Sequence, residues 1–165
     1  ILLVKDNKTL DLMKESRKVS KNIIKTTDEY IHFENLNLDV VSYFSPVNYY
    51  GVQYISDLML AFKYTNAEVV GKYSYYQVDS SNNFILENES YSHKYVNELQ
   101  FDKSLINLSE NKFINSKELI KFIEGNNLGQ LFHKGLRFYS ADKFNFIGEY
   151  HSSELNNTDI RHILV

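Results

Sequence analysis

Five histidines, thirteen tyrosines and no cysteine bound the chemistry open to this chain. Without thiols there is no disulfide, no thiolate metal site and no thiol nucleophile. His32, His93, His133, His151 and His162 are dispersed, and the metalloprotease pattern His-Glu-x-x-His does not occur. Glu149 and His151 would share one face of a strand, with Glu154 close behind, and such a set could hold a divalent ion. A solvated strand edge with a stray histidine is the plainer reading, so no metal is expected. Glu89 and His93 stand four apart, an ordinary surface contact if that region is helical. The six glycines are scattered singly, which leaves no Gly-x-Ser-x-Gly elbow, phosphate loop or dinucleotide fingerprint. A nucleophile needs a base and an oxyanion donor within reach, and no spacing here supplies them. The expectation is a chain that is not an enzyme, with no catalytic residue and no cofactor.

The tyrosines offer binding rather than reaction. Tyr43, Tyr49, Tyr50, Tyr54, Tyr73, Tyr75 and Tyr76 lie close in sequence. A ring with a hydroxyl suits the wall of a small-molecule pocket, and it equally suits a core whose hydroxyls reach the surface. Tyr73, Tyr75 and Tyr76 are the candidate wall, with Tyr49 and Tyr50 contributed by a covering helix.

These residues need a strand and a helix to hold them. Ala67–Val78 is rich in β-branched and aromatic residues, and Tyr73 and Tyr75 alternate with Lys72 and Ser74, as a half-buried strand requires. Tyr54, Leu58, Ala61 and Phe62 recur at helical spacing, which predicts a helix over Tyr49–Tyr64 packed on that strand. Lys8–Phe33 has no Gly or Pro and reads as one long helix capped by Asp6 or Asn7. Its apolar stripe, Leu12, Val19, Ile23, Tyr30 and Ile31, is narrow and close to a heptad. That stripe suits either a helix lying along the domain or one that pairs with its twin in a homodimer. Leu38 and Val40 begin a short strand, and Pro46 interrupts it. Asp79–Asn83 is a polar turn, after which Phe84–Leu86 completes a hairpin; a helix over Glu87–Leu99 is the alternative. Ser116–Asn126 reads as a helix closed by Gly125, and Gly135–Val165 as two or three strands, the last holding Ile160, Ile163 and Val165.

With 165 residues, 43% of them hydrophobic, one domain with a real core is expected. It comprises a helix over 8–33 and an α+β body over 34–165. A net charge of -3 and the lack of a basic cluster argue against nucleic acid or a membrane surface as partner. The abundance of Asn, Ile, Lys and Tyr resembles an AT-rich bacterial coding bias, so the sequons at Asn88, Asn107 and Asn156 read as compositional. Ile1–Val4 is too short to span a bilayer, which takes about 20 residues. It reads either as the last turn of a membrane-spanning helix or as a first strand.

An apolar stub, a long helix, Phe44-Ser45-Pro46-Val47 entering a second helix, then Tyr73–Val78 and the polar Asp79–Asn83 follow in an order that resembles the PAS-like extracytoplasmic sensor modules of bacterial kinases and chemoreceptors. The resemblance covers Lys8–Leu99 and is greatest to helix-led modules whose relatives hold one haem. Those relatives attach haem through Cys-x-x-Cys-His, which this chain lacks, so covalent haem does not carry over. The resemblance implies an α+β fold, a long N-terminal helix packed on an antiparallel PAS-like sheet. It also implies a periplasmic ligand-sensing role in a membrane receptor, with the ligand between sheet and helices and a homodimer formed through the first helix. Two alternatives stand beside it: a cytoplasmic effector-binding domain of a transcription regulator, and the soluble part of a minor pilin.

Overall fold

A computed structural model describes residues 2–4, 23–25, 38–109, 116–150 and 160–164. Strands β1 (Leu2–Val4) and β2 (Ile23–Lys25) pair in parallel, Leu2 opposite Ile23 and Val4 opposite Lys25. The uninterrupted helix expected over 8–33 is therefore not shown. Residues 23–25 inside it are extended, and the rest of that stretch lies outside the described residues. Ile23 and Ile24 are β-branched, and their restricted side-chain rotation suits a strand better than a helix. Leu2–Val4 matches the strand reading of the apolar stub. Among the described residues, no helix is long and apolar enough to cross a membrane.

The body continues with β3 (Val40–Ser42), β4 (Tyr49–Tyr50), α1 (Tyr54–Tyr64), β5 (Val69–Gly71), β6 (Tyr75–Val78), β7 (Phe84–Glu87) and β8 (Lys94–Val96). Then come β9 (Ser104–Asn107), α2 (Ser116–Gly125), α3 (Gly129–His133), β10 (Phe138–Ser140) and β11 (Phe146–Gly148). They build a mixed α+β fold with two sheets rather than one antiparallel sheet. The five-stranded sheet has the order β3-β9-β5-β10-β8 and the four-stranded sheet the order β4-β11-β6-β7. Each is antiparallel except at its centre, where β5 runs parallel to β10 and β6 parallel to β11. The two central strands thus pass together from the first sheet into the second.

That passage explains why the single strand expected over Ala67–Val78 is two. The short link 72–74 faces the longer link 141–145, so the ladder that pairs Val69 with Phe138 resumes with Tyr76 opposite Ile147. Side-chain groups take over the interrupted backbone bonds. Ser140 Oγ accepts from the amides of Tyr73 (3.3 Å) and Ser74 (3.4 Å). Asn145, buried with φ 61°, donates through Nδ2 to Asp57 at 2.8 Å.

Successive strand residues face opposite sides of a sheet, and the core follows that rule. Val69, Ile106 and Phe138 meet Leu119, Phe122, Leu128 and Leu131 of α2 and its surroundings. Their neighbours Val70, Leu105 and Tyr139 meet Tyr54, Leu58 and Ala61 of α1. The five-stranded sheet is the middle layer of a helix–sheet–helix sandwich. A third cluster joins Val78 and Ile147 to Ile160 and Ile163.

Further boundaries differ from the expectation. Tyr49–Tyr50 is a strand on β11, not helix, and α1 begins at Tyr54 because the Gly51 amide is held by the Asn145 carbonyl at 2.9 Å. A Cβ on Gly51 would stand 2.8 Å from the Asn145 side-chain oxygen and 3.1 Å from its Cα, so the close approach favours glycine. The hairpin around Asp79–Asn83 forms as read, with Asp79 Oδ1 accepting from the amides of Ser81 and Asn83 at 2.8 Å. Glu87–Leu99 is not a helix but a 3-10 turn followed by β8. The helix over 116–125 is present, and Asn126, with φ 44°, takes the left-handed position that ends it. Ile160–Leu164 forms a helical turn instead of a last strand; the amides of Ile163 and Leu164 both donate to the Ile160 carbonyl.

Candidate functional site

A cleft of about 470 Å³ opens where the five-stranded sheet passes into the four-stranded one. Lys72, Tyr73 and Tyr75 form one wall, Glu98, Leu99, Gln100 and Lys103 a second, and Gly125–Asn127 at the end of α2 the third. Asn126 ties two of these walls together, its Oδ1 accepting from the Asp102 amide at 2.9 Å. A Cβ on Gly71, the residue before Lys72, would meet Ser104 Oγ and stand 2.8 Å from the Lys103 carbonyl, which accepts from the Lys72 amide at 2.9 Å.

Two lysines reach the cleft, and their surroundings differ. Lys72 is fully buried, and its Nζ is bound to Asp142 Oδ1 at 2.8 Å. Burial pulls its amine below the ordinary lysine value while the Asp142 charge opposes that shift. Lys103 is 7% exposed, with Nζ 3.5 Å from the centre of the Tyr75 ring and 5.9 Å from that of Phe146. Among the described residues no carboxylate lies within 4 Å of it. Burial brings its amine down to about 8, against the charges of Asp102, Glu149 and Glu87. The negative face of the tyrosine ring stabilises the cation by about 1–2 kcal/mol, less than a desolvated charge needs.

The polar rim is formed by Glu98, Gln100, Asn126 and Asn127. Tyr73 donates its hydroxyl to Glu98 Oε1 at 2.7 Å, and this bond to a carboxylate pushes the phenol up to about 12. Tyr75 also rises to about 12, through burial first and then the charges of Glu87, Asp102 and Glu149. Both hydroxyls are neutral across the physiological range. A neutral hydroxyl, a carboxylate, amides and one buried ammonium make the cleft a place for polar recognition.

Of the five tyrosines singled out from the sequence, Tyr73 and Tyr75 line this cleft. Tyr76 packs instead with the cluster around Ile147, and Tyr49 stacks edge-on against Tyr150 at 5.2 Å in that same cluster. Tyr50 lies behind the site. Its hydroxyl donates to the Asp102 carbonyl at 2.8 Å and accepts from the Ser45 amide at 2.9 Å, and burial pushes it up to about 12. Tyr50 is thus a positioning residue for the turn that carries Lys103, not part of the wall. Lys103, Glu98, Gln100 and Asn126 were not marked by sequence reasoning; the polar run Asn126-Asn127 just after a helix is the one signal that could have pointed there.

Glu149 follows β11 with φ 54° and accepts from Gln77 Nε2 at 2.9 Å; His151 and Glu154 lie outside the described residues. His93 also has a positive φ, 55°, and is not on a helix with Glu89. Among the described residues no group of three or more potential metal ligands comes together. No protein-family model matches the chain, and no curated protein or solved structure matches it either.

Proposed function

We propose that this chain is a ligand-binding module and that the cleft beside Tyr73, Tyr75 and Lys103 takes a small polar anion. The observation that carries the reading is Lys103, a largely buried cation set against an aromatic ring at the wall of a cleft. A buried charge without a close counter-charge costs several kcal/mol. An anionic group on the ligand supplies the missing partner, and Gln100, Asn126 and Asn127 bond its remaining polar atoms.

The narrower form of the proposal is the ligand-sensing domain of a bacterial membrane receptor, placed outside the cytoplasmic membrane and of PAS-like type. What supports it is the hairpin that Tyr75–Val78 makes through the polar turn Asp79–Asn83, with Tyr73 and Tyr75 lining the cleft beside it. Binding would act by population shift, and a ligand with hundredfold preference for one arrangement supplies about 2.7 kcal/mol.

The test is a thermal-unfolding titration with citrate and inorganic phosphate, set against sodium chloride of equal ionic strength. A ligand at a hundred times its dissociation constant stabilises by about 2.7 kcal/mol. The expected result is stabilisation by at least one of the two anions that is absent in K103M. Equal shifts with chloride, or in the variant, would overturn the reading.

A further inference from the structure

Lys72 and Lys103 are both buried in the walls of one cleft, and the contrast between them points to a second property of the site. Lys72 Nζ is committed to Asp142 at 2.8 Å, an ion pair that keeps its proton in place. Lys103 lines the cleft with its Nζ over the Tyr75 ring, and among the described residues no carboxylate lies within 4 Å of that nitrogen. A molecule small enough to enter the cleft can approach that nitrogen, whereas bulk reagents meet it less readily than the surface lysines. We infer that Lys103 is a reactive amine which condenses reversibly with small aldehydes and 2-oxo acids admitted to the cleft, forming an imine. The inference rests on the cleft being open to small molecules, as proposed above.

The step balances without an oxidant or reductant. The neutral Nζ adds its lone pair to the carbonyl carbon as the C=O π bond opens, and the oxygen takes up a proton while the nitrogen gives one up to water. The resulting carbinolamine loses its hydroxyl, with a proton, as water, and the nitrogen lone pair closes the C=N bond. The demand on the protein is a supply of neutral amine. Burial meets it: an amine near 8 presents a neutral fraction more than about a hundredfold above that of an ordinary lysine at pH 7. The opposing charges come from Asp102 on the same turn, Glu87 on β7 and Glu149 after β11, and the packed rings from Tyr75 and Phe146. A desolvated lysine in an apolar-backed pocket is the usual way an amine is made nucleophilic.

The experiment treats the whole chain with glyoxylate, traps imines with sodium borohydride and maps the adducts by peptide mass spectrometry over a range of pH. The expected result is labelling of Lys103 at least tenfold faster than Lys72, and faster than exposed Lys63 and Lys94, with a rate that levels off above about pH 8. In K103R the adduct at this position is lost while those at Lys63 and Lys94 are unchanged. The pH profile is read on the unaltered chain, so it holds even where the variant folds poorly. Labelling of Lys103 no faster than Lys63 and Lys94, or a rate still climbing at pH 10, overturns the inference. Citrate or phosphate binding without selective labelling sinks the amine and spares the binding site; selective labelling without anion binding does the reverse.

Discussion

Around Tyr50 the aromatic rings close on one another: its centre lies 4.7 Å from Phe44, 5.0 Å from Tyr54 and 5.4 Å from Phe146. Around Tyr75 the same residue type has Phe146 at 5.6 Å on one side and the ammonium of Lys103 at 3.5 Å, with the cleft beyond. Phe146 belongs to both neighbourhoods. In the closed cluster the polar atoms answer to the protein: Tyr50 binds Asp102 and Ser45, and the Tyr54 hydroxyl is buried with no partner among the described residues. In the open one the rim faces outward. Both tyrosines pack on Phe146 in one cluster, so the lesson is that a tyrosine's role here follows from what stands on its other side, not from its type or its strand face.

The comparison breaks first at the shared ring. Phe146 is fully buried, and Phe146→Ala is expected to cost about 3–5 kcal/mol in urea unfolding, because truncating a packed aromatic leaves a cavity that neighbours fill poorly. Tyr73→Ala, at the open end, is expected to cost less than about 1.5 kcal/mol. Equal losses would mean that the cleft is part of the core.

The next contrast is with pH. Lys103 titrates near 8 when folded and near 10.5 when unfolded, so between those values the unfolded chain holds more protons. Stability from this group therefore rises with pH across that window, since the cost of burying a charge is relieved when the amine is neutral. The stability difference between the native chain and K103M should move by up to about 3 kcal/mol in favour of the native chain from pH 8 to pH 10.5. A flat difference would show that the amine is solvated. Tyr50, Tyr73 and Tyr75 act in the opposite sense only above pH 10, where their raised values make ionisation on unfolding favourable. They are present in both proteins and cancel.

Smaller effects separate the two hydroxyls of the closed cluster. Tyr50→Phe removes the bond to the Asp102 carbonyl and is expected to cost about 1–2 kcal/mol, and to weaken anion binding by loosening the turn that holds Lys103. Tyr54→Phe removes a buried hydroxyl without a partner and is expected to change stability by less than about 1 kcal/mol, in the stabilising direction. A destabilising Tyr54→Phe would point to a bound water between that hydroxyl and the buried, unpartnered Oδ1 of Asp102.

Several elements were legible in the residues because their signals are local. The helix over 116–125 shows an apolar face and a turn residue at its end, and the turn at Asp79–Asn83 is built by side chains bonding their own backbone. The apolar face of α1, through Tyr54, Leu58 and Ala61, follows helical periodicity and is buried as read. Tyr73 and Tyr75 both line the cleft, but Tyr73 lies in the link between β5 and β6 and packs with a different cluster, so alternation along one strand is not what brings them there. What periodicity cannot report is which strands lie side by side. The break at 72–74 arises because a partner strand roughly seventy residues away carries a longer link, and no local pattern encodes that mismatch.

The same limit applies to the site. The amino-acid sequence by itself determined an α+β chain without thiol or phosphate-loop chemistry, the short turns, and a concentration of tyrosines around one strand. Tertiary structure alone decided that Tyr50 stands behind the site while Tyr75 forms its wall, and that two lysines of one composition meet different fates. Lys72 finds Asp142 seventy positions on, and Lys103 finds a ring and an open cleft. Charge and residue type are properties of the chain. The counter-charge that settles what a buried amine can do is brought from a distant link, by the crossing of two sheets, and exists only once the protein has folded.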